Sequence, residues 1–366
     1  MKLCLLANAR SIHTRRWASH FSRRGHDVTV LSLSEGEIPG VTVRRVGPEP
    51  EKRGRAAYLL AVVPVRRALK ALKPDLVNAH YAGGYGFLGA LAGWHPLIIS
   101  AWGSDVLVVP GAEPFMKWVI GRCLGRADLI TSVATHMSAS IRALGVTGRI
   151  LTLPFGVDTD LFHPSNGANG KLEAAPLIVS TRHLEPIYNV GLLIEAMPEI
   201  LLAFPSATVA ILGDGSLRQE LERRVRELGV ERSVSFAGRV TEGEIARYLT
   251  KAAICVSTSL SDGNNISLNE AMACGAFPVV TDIPANREWI ENGRGGFLVD
   301  TKDPRDLANR VVEALRSPKV MSAAAELNWE VVRNRASWQV SMTLVESEYC
   351  AVAQRYSHGA NSLAAR

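Results

Sequence analysis

A polar stretch in the second half of the chain has the residue types and spacing of a ligand-binding site. It runs from Asp262-Gly263-Asn264-Asn265 to Glu270, and it follows the apolar run Ile254–Ser257, which is typical of a strand. A glycine-containing turn that enters a helix presents free backbone N–H groups and a partial positive charge, which suit a diphosphate. The carboxylates of Asp262 and Glu270, eight residues apart, could then accept hydrogen bonds from ligand hydroxyls.

A second interpretation of Glu270 is purely structural. The sequence Ser267-Leu268-Asn269-Glu270 fits a capping box, in which Glu270 would only close the start of the helix. The local pattern favours neither interpretation over the other.

The elements that must position this stretch alternate along the chain. Short apolar runs alternate with helical patterns, which is typical of parallel sheets covered by helices on both faces. The predicted strands are Leu3–Ala7, Val28–Leu33, Val41–Val46, Leu76–Ala79, Leu97–Ala101, Leu129–Val133, Ile150–Leu153, Leu177–Ser180, Val209–Leu212, Val234–Phe236, Ile254–Ser257, Phe277–Thr281 and Phe297–Val299. In such open sheets, ligands bind beyond the carboxyl ends of the strands.

This pattern predicts an α/β protein with two doubly wound Rossmann-like domains, residues 1–165 and 171–336. The stretch Pro154–Gly170 is loop-like, with Pro164, Asn166, Gly167, Asn169 and Gly170 clustered as in a linker. Residues 337–356 carry an apolar stripe at helical spacing, so we expect a helix that packs across the domains. We expect the small, polar residues 357–366 to be a frayed tail.

Composition narrows the class of protein. With 366 residues, 47% hydrophobic and 21% charged, the chain can form two ordinary cores. Its first residues are typical of a strand and not of a secretory signal, and no apolar run is long enough to span a bilayer. The five cysteines are scattered, without the spacing of a disulfide framework or a zinc site. We therefore expect a cytoplasmic protein without a bound metal.

The net charge of +6 is concentrated in the first half. Between Arg44 and Lys73 there are nine cations and only two glutamates, Glu49 and Glu51. One interpretation is a solvated helix face, and the other is peripheral docking on an anionic inner-membrane surface or a phosphorylated acceptor. Nucleic acid is disfavoured, because only Tyr58 interleaves with these cations.

The stretch that begins at Asp262 also resembles the signature of the family-4 GT-B retaining glycosyltransferases, of the glycosyl transferases group 1 type. That signature has an acidic residue and a glycine, then Glu-Ala-Met-Ala-Cys-Gly-x-Pro-Val-Val, here Glu270–Val280. Other matching pieces occur in the family's order along nearly the whole chain. They are Arg24–Val30, Ala127–Ile130, Pro154–Phe162, Leu212–Gly215, Val234–Gly238 and Gly296–Val299.

The resemblance implies the GT-B fold, with two domains facing a central cleft, and metal-independent transfer of a sugar from a UDP- or GDP-sugar. It implies that Glu270 binds the ribose, that Arg182 stabilises the diphosphate, and that Asp262 faces the transferred sugar. Arg182, Asp262, His80, Asp105 and Trp102 are the implied catalytic residues. The remaining donor-binding residues are expected to be Gly263, Asn264, Asn265, Ile266, Ser267, Arg239, Val240 and Tyr188.

The chain departs from the family pattern at several positions. The acidic residue that opens the signature is Asp262, where a glutamate is more common, and no lysine follows Arg182. Trp102 occupies the place where relatives have a histidine after the fifth strand. His80 could substitute for that histidine, or it could be a hydrogen-bonded structural residue.

The first loop departs too, since Asn8–Thr14 replaces a Gly-Gly turn. Arg10, His13 and Thr14 could therefore contact acceptor or phosphate. Asp158-Thr159-Asp160 spells a metal-binding pattern, but its place in the Gly156–Phe162 loop favours a turn.

The function that this resemblance implies is transfer of a sugar to a hydroxyl of a glycan, lipid-linked or small-molecule acceptor, as in polysaccharide biosynthesis. Two alternatives remain at this point. One is a non-catalytic GT-B scaffold subunit, and the other is a nucleotide-sugar epimerase.

Overall fold

The computed structural model describes residues 1–164 and 175–364, except for the side chains of residues 110, 112 and 358–364. Residues 165–170 of the predicted linker therefore lie outside the described residues. The chain forms two compact units, Phe155–Ser341 and Met1–Pro154 with the segment from Met342 onward.

The first unit is built on a seven-stranded parallel sheet in the order β3-β2-β1-β4-β5-β6-β7. Its strands are β1 (Lys2–Leu6), β2 (Asp27–Ser32), β3 (Thr42–Arg45), β4 (Leu76–His80), β5 (Leu97–Ala101), β6 (Leu129–Ser132) and β7 (Ile150–Thr152). Strands β4 and β5 are buried along their whole length, which explains their unbroken apolar runs.

Helices connect these strands. They are α1 (Ile12–Arg23), α2 (Pro50–Arg53), α3 (Ala56–Leu72), α4 (Gly86–Ala92), α5 (Ser104–Leu107), α6 (Val109–Ala112), α7 (Pro114–Leu124) and α8 (Thr135–Ala143). A π-helical turn, Tyr81–Tyr85, joins β4 to α4. Because β1 is followed by β2 on one side and β4 on the other, the strand order reverses between β1 and β4. That position is the ligand-binding switch point of a doubly wound sheet.

The second unit repeats this plan with six parallel strands in the order β10-β9-β8-β11-β12-β13. Its strands are β8 (Leu177–Ser180), β9 (Thr208–Ile211), β10 (Val234–Phe236), β11 (Ile254–Ser257), β12 (Phe277–Thr281) and β13 (Phe297–Val299). Its helices are α9 (Gly191–Ala203), α10 (Arg218–Glu227), α11 (Glu242–Lys251), α12 (Ile266–Ala273), α13 (Pro284–Arg287), α14 (Pro304–Leu315) and α15 (Pro318–Arg335). The switch point lies between β8 and β11.

Two apolar clusters fill the two faces of this second sheet. One contains Ile178, Val209 and Ile254 with residues of α9 and α14, and the other contains Val179 and Cys255 with residues of α12. Neighbouring residues of one strand thus belong to opposite clusters, as the alternation of side chains along a strand requires.

The last helix, α16 (Trp338–Ala364), is longer than the predicted 337–356. From Met342 onward it belongs to the first unit. The Tyr349 ring is fully buried and stacks on Phe21 at 5.4 Å, and Glu346 pairs with Arg24 and His26 at 3.0 and 2.9 Å. The stacking and the ion pairs fix the helix to this unit.

All thirteen predicted strands are present, each within one residue of its predicted ends. The prediction of two doubly wound Rossmann-like domains is confirmed by the two sheet orders. No helix in the described part of the chain has the length and apolar composition to cross a bilayer.

Candidate functional site

The loops at the switch point of the second sheet bring together distant parts of the sequence. Arg182 follows β8, and Asp262 lies in the loop between β11 and α12. Because β8 and β11 are adjacent and parallel, both loops leave the same edge of the sheet. The sequence prediction placed Arg182 and Asp262 in one site, and the structure has them in contact.

Two glycines in the loop after β9 allow the backbone around Arg182 to approach this loop closely. A Cβ at Gly213 would lie 2.2 Å from the carbonyl oxygen of Arg182, and one at Gly215 would lie 2.4 Å from that of Leu184. Any larger residue would displace the backbone that carries Arg182. The short motif Gly213-Asp214-Gly215 is thus a packing requirement of the site.

The guanidinium of Arg182 is buried and has four neighbours. Its Nη2 lies 2.5 Å from Oδ2 of Asp262, and its Nη1 donates to Asn265 Oδ1 at 3.0 Å and Ser267 Oγ at 3.4 Å. The ring of Tyr188 lies below it, 4.3 Å from the guanidinium carbon. A tyrosine thus covers this cation on one face, through a cation–π contact.

The capping-box interpretation of Glu270 is wrong. Helix α12 begins at Ile266, and its N-cap is Asn265, whose side chain accepts a hydrogen bond from Leu268 N at 3.1 Å. Ser267 and Glu270 therefore lie inside the helix.

Asn265 is fully buried, and each atom of its amide makes two hydrogen bonds. Oδ1 accepts from Leu268 N and Arg182 Nη1, while Nδ2 donates to Ser257 Oγ at 3.0 Å and Asn286 Oδ1 at 2.9 Å. Asn286 Nδ2 in turn donates to Thr281 O at 2.8 Å. The predicted ligand contact at Asn265 is therefore replaced by a role in positioning Arg182, because its side-chain amide is already fully bonded.

The other predicted donor-binding residues lie between β11 and the first turn of α12, or after the carboxyl end of β10. Gly263 and Asn264 are buried, and Ile266 is half-buried at the first turn of α12. Among the described residues, neither polar atom of the Asn264 amide has a hydrogen-bond partner, an arrangement that is costly unless a ligand or water completes it. Arg239 and Val240 follow β10, the edge strand, where Arg239 is exposed and Val240 packs on the core.

Glu270 is half-buried on α12. The pKa of the Cys255 thiol on β11 is raised to about 12, mainly by burial, with a further contribution from the charge of Glu270. The charge of Arg182 opposes this rise in the pKa.

The switch point of the first sheet carries a pocket of about 530 Å³. The residues that line it come from the ends of β1, β4 and β5 and from the helices near them: Asn8, Ser11, Thr14, Pro50, Glu51, Tyr58, His80, Tyr81, Tyr85 and Trp102. Of the predicted residues, His80, Trp102 and Thr14 meet here. Tyr58, Tyr81 and Tyr85 were missed, although Tyr81 and Tyr85 follow β4 directly.

His80 is a hydrogen-bonded, buried residue. Its Nε2 lies 2.8 Å from Asn78 Oδ1, an oxygen that also accepts from the Tyr349 hydroxyl at 2.9 Å. An amide oxygen only accepts, so Nε2 carries the proton and Nδ1 faces Thr14 Oγ1 at 3.5 Å. Burial, assisted by His13, lowers the pKa of His80 to about 3, so the ring is neutral at physiological pH.

The prediction that Asp105 is a catalytic residue is corrected by its surroundings. Its carboxylate is fully buried and accepts from the backbone N–H groups of Ala82, Gly103 and Trp102 at 2.7, 2.8 and 3.2 Å. Burial raises its pKa, while these hydrogen bonds oppose the rise. Asp105 therefore positions Trp102 and the start of the π-helical turn, and does not itself face the pocket.

Trp102 is half-buried at the end of β5, with the His80 ring 4.6 Å away and the His13 ring edge-on at 5.4 Å. Tyr81 has a left-handed backbone, with φ of 74°, which is uncommon for a tyrosine. Its hydroxyl lies 2.9 Å from Ser104 Oγ. Strained backbone and π-helical turns are both enriched at functional sites, which supports a binding role for this pocket.

The remaining candidates have local partners. Arg10 pairs with Glu49 and Glu51 at 3.4 and 4.0 Å, and burial lowers the pKa of His13 to about 4. Asp158 Oδ1 accepts from Asp160 N at 3.1 Å, so the Asp158-Thr159-Asp160 pattern forms a turn.

Comparisons with known proteins show that the chain is similar to glycosyltransferases. The chain is 23% identical over 331 residues to an uncharacterized glycosyltransferase, MJ1178, from Methanocaldococcus jannaschii, covering 88% of this chain and 89% of that one. It is 27% identical to the D-inositol 3-phosphate glycosyltransferase of Geodermatophilus obscurus, covering 87% and 78%. It is 26% identical to the GDP-mannose-dependent alpha-(1-6)-phosphatidylinositol monomannoside mannosyltransferase of Mycolicibacterium smegmatis, covering 65% of each chain.

Among solved structures, Anabaena HepE in complex with UDP-glucose aligns with a TM-score of 0.78 and 20% identity, over 95% of this chain and 99% of that one. This likeness shows the fold. Two family models match, "Glycosyl transferase 4-like" over residues 2–134 and "Glycosyl transferases group 1" over residues 175–317. The matched ranges contain β1 to β6 and β8 to β13, and the chain therefore belongs to the group 1 glycosyltransferases of the GT-B fold.

Proposed function

We propose that this glycosyltransferase uses a UDP- or GDP-sugar as donor and transfers the sugar to a hydroxyl with retention of anomeric configuration. The observation that carries this proposal is Arg182, a buried cation at the switch point of the second sheet, beside the first turn of α12. A guanidinium can bind two phosphate oxygens at once, and helix N–H groups favour an anion.

In the proposed reaction, the bond between the anomeric carbon and the β-phosphate oxygen breaks, and the acceptor oxygen forms its bond on the same face. The acceptor proton passes to the departing diphosphate. Arg182 stabilises the charge that develops on this leaving group, and Glu270 binds the ribose. Electrostatic stabilisation of this kind requires no protein nucleophile.

Asp262 has two roles in this proposal. Its ion pair with Arg182 holds the guanidinium in place before the donor arrives, and its carboxylate faces the transferred sugar. The buried amide of Asn264, two residues later, has no hydrogen-bond partner in the part of the chain that the structure describes, and this supports a sugar-facing surface at the loop. The incoming diphosphate then shares the guanidinium with Asp262.

Guanine and uracil are the two candidates for the base of the donor nucleotide. The mycobacterial relative is named for its use of GDP-mannose, and the Anabaena structure contains UDP-glucose. Both nucleotides have the diphosphate that Arg182 would bind.

Calorimetric titration with UDP and with GDP, in the presence of a metal chelator, tests the proposal. We expect one nucleotide to bind and Arg182→Gln to weaken that binding by at least tenfold, because a charge-assisted hydrogen bond contributes roughly 1.5–3 kcal/mol. Arg287→Gln is the matched control, since Arg287 is an exposed arginine of the same unit, paired with Asp282 at 2.5 Å. Absence of binding by both nucleotides, or equal effects of the two substitutions, would contradict the proposal.

We further propose that the acceptor is lipid-linked and that α3 contacts an anionic membrane surface. This helix exposes Leu59, Leu60 and Val63 together with Arg67 and Lys70. Apolar residues beside cations are typical of helices that lie in the interface of a bilayer. Arg66 has a different role, because its Nη2 donates to Leu91 O at 2.6 Å at the end of α4.

A further inference from the structure

The pocket at the switch point of the first sheet differs from the donor site in its chemistry. Four aromatic side chains line it, and the donor site depends on a buried cation. We propose that this pocket binds the acceptor through one uncharged pyranose or cyclitol ring, and that it disfavours a ring that carries a phosphate. The inference rests on the proposed function, because it assigns that reaction's acceptor.

The aromatic walls are held rigidly. Trp102 is fixed by the rings of His80 and His13, and the Tyr58 ring meets Tyr85 edge-on at 5.7 Å. The Tyr85 hydroxyl accepts from Leu33 N at 3.1 Å, so this ring cannot swing out without losing a buried hydrogen bond. Rigid, flat, apolar surfaces suit the C–H faces of a sugar or cyclitol ring.

The polar groups between these walls are neutral. Asn8, Ser11 and Thr14 come after β1, and the lining also includes the three tyrosines Tyr58, Tyr81 and Tyr85. Amides and hydroxyls both donate and accept hydrogen bonds, which matches the hydroxyls of a sugar ring. A volume of about 530 Å³ is within the range of small-molecule pockets and accommodates a ring with a substituent.

The charge of the pocket argues against a phosphorylated ring. Among the described residues that line it, Glu51 alone is charged at neutral pH, because burial keeps the His80 ring neutral. The nearby cation Arg10 is already paired with Glu49 and Glu51. A phosphate here would meet a carboxylate and no unpaired arginine or lysine of the described lining, and an anion without a partner is costly to desolvate.

Saturation-transfer NMR on the full chain tests this inference with defined probes. The uncharged probes are methyl α-D-glucopyranoside, methyl α-D-mannopyranoside and myo-inositol, and the charged probe is glucose 6-phosphate. We expect at least one uncharged ring to bind and to be preferred over the phosphate at least tenfold. Ser11→Tyr, which fills the pocket at a half-buried N-cap without a side-chain cap bond, should abolish the signal.

A charge exchange provides the second variant. Glu51→Lys should raise the affinity for glucose 6-phosphate at least fivefold relative to the uncharged rings, because it replaces the carboxylate of the lining with a cation. Glu37→Lys is the control, since it makes the same change in net charge at an exposed position outside the lining. Thermal unfolding of each variant confirms that it is folded.

Three results would overturn the inference: no uncharged probe binds, glucose 6-phosphate binds as tightly, or Glu51→Lys acts no differently from Glu37→Lys. Titration of UDP and GDP on the same samples separates this failure from failure of the proposed function. If a nucleotide binds and no ring does, only the acceptor assignment is wrong. If neither binds, both proposals are wrong.

Discussion

The Oδ2 atom of Asp262 lies 2.5 Å from Nη2 of Arg182, and both side chains are nearly buried, with 14% and 9% of their surfaces exposed. A pair of this kind gains strong attraction only after both charges have lost their water. The arrangement is therefore sensitive to the loss of either partner. It also places the predicted phosphate-binding cation where it is oriented before any ligand arrives.

We expect Asp262→Ala to lower the free energy of unfolding by roughly 3 kcal/mol, because it leaves the buried charge of Arg182 unpaired. Asp282→Ala is the matched control. Asp282 is bound to Arg287 at the same 2.5 Å distance in the same unit, but the two side chains are 41% and 59% exposed. An exposed pair contributes less than about 1 kcal/mol.

Urea denaturation of the three proteins measures this difference. If the two substitutions destabilise the chain equally, the Arg182–Asp262 pair has no special dependence on burial. The stabilising role assigned to this buried ion pair would then be wrong.

A second prediction concerns Asn286, which is linked to Arg182 through Asn265. Its Oδ1 accepts from Asn265 Nδ2, and Asn265 Oδ1 accepts from Arg182 Nη1. We expect Asn286→Ala to lower nucleotide affinity roughly fivefold, equivalent to one lost hydrogen bond of about 1 kcal/mol, because Asn265 is then free to turn. The measurement is a calorimetric titration with the nucleotide that the unmodified chain binds.

Asn328→Ala is the control for simple loss of stability. Asn328 is also buried in the second unit, and its Nδ2 donates to Gly295 O at 2.7 Å, as Asn286 donates to Thr281 O. Both variants should be destabilised, but only Asn286→Ala should bind nucleotide more weakly. Equal affinities of the two variants would show that Asn286 does not position Arg182.

The strands could be predicted from the sequence because parallel strands covered on both faces are unbroken apolar runs. The resemblance placed Arg182 and Asp262 in one donor site, but the ion pair between them was not predicted. The cap of α12 could not be predicted in this way. Asn265 and Ser267 are both good N-cap residues, and the choice depends on Ser257 and Asn286, which hold Asn265 from other elements.

The first pocket was predicted less well for a related reason. The contact of Tyr349 with Asn78 joins residues 271 positions apart, and no local pattern indicates it. Asp105 follows a strand as a ligand-binding residue would, yet its carboxylate is turned to the backbone of Ala82 and Gly103. Position after a strand predicts proximity to a site, but not the direction of the side chain.

A third prediction follows from the pKa of His80, which burial lowers to about 3 from an ordinary value near 6.5. Between these values the unfolded chain binds a proton that the folded chain does not, so stability falls as the pH is lowered below 6.5. Titration of His80 alone should cost about 2 kcal/mol between pH 6.5 and pH 5. Above about pH 7.5 its contribution is constant, because the imidazole is then neutral in both states.

His80→Gln retains a donor for Asn78 Oδ1 and cannot be protonated. We expect it to be less stable than the unmodified chain at pH 7.5, with a difference that shrinks or reverses at pH 5. His163→Gln, at an exposed position, is the control and should leave the pH dependence unchanged because it removes no buried group. If the free energy of unfolding changes by the same amount between pH 7.5 and pH 5 in all three proteins, the assignment of a neutral, buried His80 is wrong.

The last prediction tests the proposed membrane contact of α3. Sedimentation with vesicles should show binding to phosphatidylserine-containing bilayers and little binding to pure phosphatidylcholine. Arg67→Gln with Lys70→Gln should weaken binding roughly thirtyfold, because each cation near an anionic surface contributes about 1 kcal/mol. Arg66 is left unchanged, since its hydrogen bonds to the end of α4 would make any loss ambiguous.

Arg226→Gln with Arg232→Gln removes the same charge from exposed positions of the second unit. If that control weakens vesicle binding as much, the attraction reflects net charge and not the face of α3. A separate variant, Leu60→Ser, removes an exposed apolar side chain without changing charge, so its effect should persist at high salt while that of the charge variant fades. Binding that is insensitive to both variants would exclude α3 as the contact surface.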